Sequence, residues 1–119
     1  MKLKGLDTNL MLFLKNILDI DIEKDIVFVK DSSFRYIYAN KIFCNVFGIE
    51  EEDILGKNDE TFILDKNILE KCYESDKYSY EKDFLIHEEE VFNQKYRVLK
   101  LKINLGDKSN GILCFAKLK

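Results

Sequence analysis

The sequence predicts an α+β domain in which short helices cover one face of an antiparallel five-stranded sheet. Strand-like segments lie near residues 26–39 and again near residues 84–118, and a block of helical periodicity separates them. Strands at both ends of a helical block are typical of α+β folds, because they can pair with each other in one sheet. The length of 119 residues corresponds to one domain, and a hydrophobic content of 46% is sufficient for a sizeable core.

The first two strands are predicted to form a β-hairpin. Residues 26–29 are four consecutive β-branched or aromatic residues, which suits a strand that is buried on both faces. Asp31 opens a turn in which short polar side chains bond back to the backbone. Residues 35–39 are again apolar and aromatic, and they supply the second strand of the hairpin.

Two short helices are predicted after the hairpin, and single residues mark their ends. Asn40 is placed to cap the first helix through its side-chain oxygen. Gly48 follows the last apolar residue of that helix, where a left-handed residue is favoured, and Gly56 ends the second helix. We therefore expect structural roles for Asp31, Asn40, Gly48 and Gly56.

A longer helix and three further strands complete the predicted domain. The helix covers residues 68–77, and the Asn and Glu at positions 67 and 70 fit a capping box before it. The clearest strand is residues 97–105, in which Arg97, Leu99 and Leu101 alternate with more polar neighbours. We take this odd-numbered set to point towards the helices.

The N-terminal segment is predicted to add a cap helix over residues 7–20. Its apolar residues cover more than one narrow stripe, so packing on the sheet alone would leave some of them uncovered. Such a helix calls for a second surface, which a partner chain could provide. The alternative is a monomer in which the core of the same chain wraps the helix.

The order of these motifs resembles the PAS sensory domain family. The matching motifs are an aspartate-led strand, a turn, "YAN" into a helix, "F…FG", an acidic turn and "ILGK", followed by "RVLKLKINL" and "GDKSNGILCFA" as closing strands. The resemblance covers residues 25–116. It implies a flanking helix in residues 1–24, a PAS core in residues 25–119, and a homodimer formed through the flanking helix.

The resemblance also implies a ligand pocket between the sheet and the longest helix. The candidate lining residues are Val29, Phe43, Phe47, Asn58, Leu69, Tyr73, Phe84, Arg97, Leu99, Leu101 and Phe115. Arg97 is the leading polar candidate, because a buried guanidinium needs an anion from the protein or from a ligand. The alternatives are that Arg97 reaches water at the outer end of its strand, and that the aromatic residues are simply core.

The resemblance does not extend to the cofactor sites of the best-known family members. Asp59 stands where flavin-binding light sensors of the family carry a reactive cysteine, so a covalent flavin is not supported. The single histidine, His87, falls on a predicted strand rather than on the helix that carries the iron ligand of heme-binding members. We therefore make no cofactor assignment, and a small organic ligand stays open.

Composition excludes several other classes of site and partner. Cys44, Cys72 and Cys114 are far apart and lie within apolar patterns, so we interpret them as buried thiols rather than zinc ligands. A net charge of −3 argues against binding to nucleic acid. The longest apolar run, residues 10–14, is too short to cross a bilayer, and we expect a cytoplasmic location.

These observations favour a sensory or regulatory domain that is not itself an enzyme. We expect it to belong to a longer signalling chain, such as a histidine kinase or a diguanylate cyclase, and to sense a small ligand or mediate dimerisation. One alternative is an interaction module whose pocket is filled by its own side chains. Another is a small α+β enzyme, for which Asp59 and Asp83 are the only candidate acids or bases, without a supporting constellation.

Overall fold

A computed structural model describes residues 19–119 of the chain, together with Asn16. Five antiparallel strands form one sheet in the order β2-β1-β5-β4-β3, which confirms the predicted α+β class. The strands are β1 (Ile26–Lys30), β2 (Tyr36–Ala39), β3 (Phe84–Val91), β4 (Gln94–Gly106) and β5 (Ser109–Leu118). The helix predicted over residues 7–20 lies almost entirely outside the described residues.

The helices lie between β2 and β3 in the chain and cover one face of the sheet. They are α1 (Lys41–Phe47), α2 (Glu51–Ile54), a 3₁₀ helix (Asp59–Thr61) and α3 (Lys66–Lys82). None of the helices in the described part of the chain has the length and apolar character needed to cross a membrane.

The longest helix, α3, begins earlier and ends later than the sequence predicted. Its cap is Asp65, whose Oδ1 accepts hydrogen bonds from the backbone N–H groups of Asn67 and Ile68 at 2.8 and 3.2 Å. The predicted capping box, which begins two residues later at Asn67, is therefore wrong. At the other end the helix continues until Asp83, which adopts a left-handed φ of 77°, since neither glycine nor proline interrupts the segment before it.

Asn40 joins the start of α1 to the first strand. Its Oδ1 accepts hydrogen bonds from the backbone N–H of Phe43 at 3.0 Å and of Val27 at 3.1 Å. Its Nδ2 donates to the carbonyl of Asp25 at 2.8 Å. One amide side chain thus caps the helix and fixes the helix against the sheet.

The other three residues with expected structural roles lie at turns. The Oδ1 of Asp31 accepts from the backbone N–H groups of Ser33 and Arg35, which closes the β1–β2 turn. Gly48 ends α1 with a φ of 65°, and Gly56 has a φ of 80°. Both glycines adopt the left-handed region that side chains with a Cβ disfavour.

The sheet is apolar on both faces, and only one of them is covered by α1, α2 and α3. The helix-covered face carries Ile26, Phe28, Tyr36, Tyr96, Val98, Cys114 and Ala116, whereas the opposite face carries Val27, Val29, Leu99, Leu113 and Phe115. The predicted alternation in β4 is present, but its odd-numbered residues lie opposite the helices. Alternation separates the two faces of a strand without indicating which face the helices cover.

Gly111 provides a test of how closely the strands pack. A Cβ at this position would collide with the backbone carbonyl oxygen of Lys30 and lie 2.7 Å from Cδ1 of Leu105. We expect Gly111→Ala to lower the free energy of unfolding by about 1–3 kcal/mol, because backbone cannot move aside cheaply. Urea denaturation followed by circular dichroism would measure it. A Gly111→Ala variant that unfolds at the same urea concentration as the parent chain would contradict this packing.

Candidate functional site

The centre of the domain contains a buried carboxylate that links α3 to two strands. Asp76 lies on α3, and its Oδ2 and Oδ1 accept hydrogen bonds from Lys30 Nζ at 2.6 Å and Lys100 Nζ at 2.7 Å. Lys30 lies on β1 and Lys100 on β4, on either side of β5. The side chains of Asp76, Lys30 and Lys100 are 1%, 1% and 2% exposed. A single carboxylate therefore holds the helix against β1 and β4, the two strands that flank β5.

A second carboxylate extends this ion network to the 3₁₀ helix. Asp59 Oδ2 accepts from Lys30 Nζ at 2.7 Å, and Asp59 Oδ1 accepts from the hydroxyl of Tyr36 on β2. Lys30 Nζ also lies 4.8 Å from the ring centroid of Tyr36, close enough for a cation–π interaction. The network therefore connects β2, β1 and the 3₁₀ helix as well as α3.

The network continues towards the surface through Ser75 and Glu89. Lys100 Nζ donates to Ser75 Oγ at 2.7 Å, and Ser75 Oγ lies 3.0 Å from Oε1 of Glu89 on β3. Lys100 Nζ lies 3.7 Å from the same Glu89 oxygen. We refer to Tyr36, Lys30, Asp59, Asp76, Lys100, Ser75 and Glu89 together as the buried ion network.

Mutual attraction keeps the central members of the network charged. Burial alone would lower the pKa of Lys30 and Lys100, but the neighbouring carboxylates, Asp76 first among them, outweigh burial and raise both pKa values. For Asp76, burial is likewise outweighed by the two ammonium groups, and its pKa lies below the ordinary value. The lysines are consequently ammonium donors rather than nucleophiles.

The thiols of the described chain are not activated. Burial, with nearby acidic groups, raises the pKa of Cys72 to about 12. Burial also raises the pKa of Cys114 and, to a smaller extent, of Cys44. A thiol with a raised pKa carries little thiolate at neutral pH, so these cysteines are poor nucleophiles.

An aromatic cluster fills the space beside the ion network. Phe43 on α1 is at its centre, with ring centroids 4.5 Å from Phe47, 5.3 Å from Tyr36, 5.5 Å from Phe28 and 5.8 Å from Phe62. Most of these pairs are tilted or edge-to-face, which are favourable arrangements for aromatic rings. The rings thus occupy the volume between the sheet and the helices.

Little empty space is left in this interior. The cavity that remains between the aromatic cluster and the ion network has a volume of about 50 Å³. Its wall includes Phe43, Phe47, Lys30, Asp59 and Lys100. A cavity of this size holds a few water molecules, whereas sites for organic ligands usually measure about 300–1,000 Å³.

Two larger depressions lie at the surface on either side of α3. The first, which we call the α3–β3 groove, has a volume of about 520 Å³ and includes His87, Glu89, Ile68, Leu85 and Val91. The second, which we call the aromatic groove, has a volume of about 400 Å³. It is lined by Ser33, Phe34, Asn58, Asp59, Glu60, Leu69, Glu70, Tyr73 and Asp76. Any organic ligand larger than a few atoms has more room in these grooves than in the interior.

The structure separates the predicted pocket residues into four locations. Phe43 and Phe47 line the interior cavity, and Asn58, Leu69 and Tyr73 line the aromatic groove. Val29, Leu99, Leu101 and Phe115 belong to the sheet face opposite the helices. Phe84, which is 56% exposed, and Arg97 lie at the surface.

Arg97 does not point into the interior. It is exposed and lies opposite Glu88 in the β3–β4 pairing. The inward residues of β4 are instead Tyr96, Val98 and Lys100, the even-numbered set. The interpretation of Arg97 as a buried cation is therefore wrong, and Lys100 on the same strand is the buried cation.

The sequence alone did not predict the ion network, because lysine and carboxylate side chains usually lie at the protein surface. One signal was available: Asp76 lies on α3 four residues after Cys72, so it continues the inward-facing side of that helix. A carboxylate on the inward side requires a cation. Lys30 is a cation at the end of a strand whose residues are all buried, and it could supply the partner of this carboxylate.

The two carboxylates that sequence analysis offered as candidate acids or bases lie in different surroundings. Asp59 is occupied by Lys30 and Tyr36, and Asp83 is an exposed residue at the end of α3. Within the described part of the chain, no group of three or more potential ligands is placed to hold a metal ion.

Comparisons with known proteins agree on one fold. A family model described as PAS fold matches residues 24–71. No curated protein matches the sequence. A domain of an HTR-like protein from Haloarcula marismortui superposes with a TM-score of 0.70 at 14% identity, over 80% of this chain and 97% of that one.

Two further solved structures are similar over most of their length. The PAS domain of the histidine kinase ThkA has a TM-score of 0.66 at 12% identity, over 78% of this chain and 98% of that one. The PAS domain of BvgS from Bordetella pertussis has a TM-score of 0.61 at 18% identity, over 94% of this chain and 88% of that one. The family match over residues 24–71 and the likeness to these structures together show that the chain has the PAS fold.

Proposed function

We propose that this PAS domain is a non-enzymatic regulatory module of a cytoplasmic signalling protein, and that its interior is filled by its own side chains. Signals would pass through a shift of α3 relative to the sheet rather than through an organic cofactor in the centre. The observation that carries the proposal is the interior cavity of about 50 Å³ beside an ion network that joins α3 to β1 and β4.

The ion network supports this role because its contacts connect elements that would have to move together. Asp76 touches two strands through two ammonium groups, so α3 cannot move without breaking or replacing both ion pairs. A closely packed interior of this kind changes between distinct packing arrangements and does not deform gradually. A small displacement at α3 would therefore reach the sheet as a change between two states.

The likeness to sensory proteins supports the class of parent protein. One similar structure is the PAS domain of a histidine kinase, and a histidine kinase or a diguanylate cyclase is the parent that we propose here. Dimerisation through the segment at residues 1–24 is part of the same proposal. Light-scattering of the 119-residue chain and of a chain without those residues would test it, and equal masses per particle would contradict it.

Sensing of a small ligand is the second candidate function, and the α3–β3 groove favours it. A volume of about 520 Å³ is large enough for a small organic molecule. The groove reaches Ser75 and Glu89, so a ligand there would contact the outer end of the ion network.

The two candidates differ in what purified protein should contain. We expect no visible absorbance band, and a native mass that the polypeptide alone accounts for, at 14.1 kDa per chain. Addition of candidate metabolites should leave the melting temperature unchanged. A co-purifying mass of a few hundred daltons, the size that pockets of this class accept, would contradict the filled interior and favour ligand sensing.

A further inference from the structure

The single histidine of the chain has a buried nitrogen without a hydrogen-bond partner. His87 lies on β3 at the α3–β3 groove, and its Nε2 has no hydrogen-bond partner among the described residues. Glu89 Oε1 is 3.4 Å from this nitrogen, which is longer than a good N–H···O hydrogen bond. The ring is 27% exposed, so protons from solvent can reach it through the groove.

The oxygen nearest to His87 already takes part in a contact that can be exchanged. Glu89 Oε1 lies 3.0 Å from Ser75 Oγ, and this contact joins β3 to α3. Ser75 Oγ is also 3.0 Å from the carbonyl oxygen of Cys72. Since a hydroxyl has one hydrogen, Ser75 can donate either to Glu89 or to its own helix.

Charged groups from three elements face the imidazole. Burial lowers the pKa of His87 below its ordinary value of 6.5, Glu89 on β3 and Asp76 on α3 oppose this, and Lys100 on β4 adds to it. The imidazole is therefore neutral at pH 7. The other ionisable residues of the groove are Lys71, Cys72, Glu74, Tyr78, Glu88, Glu90 and Lys95.

We propose that His87 and Glu89 form a proton-operated latch, in which acidification pairs the imidazolium with Glu89 and releases Ser75 from β3. The proton would then be the stimulus to which the regulatory module responds, and this role rests on the proposed function. The proton comes from solvent and becomes the Nε2–H that donates to Glu89 Oε1. The Ser75 hydroxyl then donates to the carbonyl of Cys72 instead.

The direction of the response follows from linkage. In the neutral-pH arrangement the pKa of His87 is lowered, so this arrangement binds the proton poorly. In the arrangement where Nε2–H bonds a carboxylate, the pKa of the same group is higher. Protons therefore favour the second arrangement as pH falls below about 6.5, and the extent of the change is set by the difference between the two pKa values.

A titration of the 119-residue chain by nuclear magnetic resonance tests the latch directly. We expect the imidazole signals of His87 and the backbone amide signals of Cys72 and Ser75 to change together, with one shared midpoint, as the pH falls below about 6.5. In Glu89→Gln the pKa of His87 should fall, and the amide signals on α3 should no longer follow it. Amide signals on α3 that stay fixed while His87 titrates would overturn the proposal.

Glu90→Gln is the matched control, because Glu90 is the next residue on the same strand and is exposed. It should leave both the midpoint and the coupling unchanged, and thermal unfolding would verify that both variants are folded. The titration needs no effector domain. The regulatory function can be tested separately, by introducing His87→Gln into this chain fused to a kinase and measuring kinase activity at acidic pH. If that variant has no effect while His87 and α3 still titrate together in the isolated chain, the regulatory function would be rejected and the latch would stand.

Discussion

Replacing Asp76 with alanine is expected to lower the free energy of unfolding by about 3–5 kcal/mol. The variant would leave the ammonium groups of Lys30 and Lys100 buried without their shared carboxylate. Because whole domains of this size are stable by about 5–15 kcal/mol, the loss should be evident in urea denaturation at pH 7.

Two further variants separate the role of Asp76 from a general intolerance of α3. Glu74→Ala changes an exposed carboxylate on the same helix, and it should change stability by less than about 0.5 kcal/mol. The fourfold change Lys30→Met, Lys100→Met, Asp76→Leu and Asp59→Asn removes both buried ammonium groups together with the two carboxylates that pair with them, and it should recover most of the loss. A cost for Asp76→Ala as small as that of Glu74→Ala would show that the ion pairs are not buried.

The pKa of Asp76 also gives the sign of a pH effect. Its pKa in the folded chain lies below the ordinary value of 3.8. The stability that it contributes is therefore present above about pH 4 and is lost as pH falls through the lowered pKa. In Asp76→Ala this part of the acid sensitivity should disappear, which denaturation curves from about pH 5 down to about pH 2 would reveal.

Phe43→Ala is expected to cost about 3–5 kcal/mol, because it removes the central ring of the aromatic cluster. Phe43 is 1% exposed and has four aromatic neighbours, so the surrounding rings cannot all move in to fill the gap. The variant would also enlarge the interior cavity of about 50 Å³. Small apolar molecules such as benzene should then raise the melting temperature of the variant but not of the parent chain.

Phe84→Ala is the control for this change, since Phe84 is 56% exposed. The same side chain is removed there at a cost that should stay below about 1 kcal/mol. Equal costs for the two variants, or a parent chain that is itself stabilised by benzene, would contradict the filled interior.

The order and pairing of the elements could be predicted because they depend on local patterns. The four-residue apolar run before Asp31 identified β1, and the alternation at Leu99 and Leu101 identified β4. The end of α3 could not be predicted in the same way. The helix ends where Asp83 adopts a left-handed φ. The usual sequence signal for such an end is a glycine, and this position has none.

The site was harder to predict than the fold, for two physical reasons. A period of two residues assigns Arg97 and Lys100 to opposite faces of β4, but only the packing of α3 decides which face is interior. Burial of lysine is also rare unless a carboxylate lies nearby. That carboxylate, Asp76, comes from a distant part of the chain, so the pairing is a tertiary property.

The most direct test of the central claim is a titration of the lysine side chains by nuclear magnetic resonance. Burial opposed by Asp76 and the other carboxylates raises the pKa values of Lys30 and Lys100 above the ordinary 10.5. We therefore expect two lysine ammonium groups that stay protonated at about pH 11, while the exposed lysines lose their protons near their usual pKa. Lysines that all titrate together near pH 10.5 would contradict a buried ion network and, with it, the filled interior on which the proposed function depends.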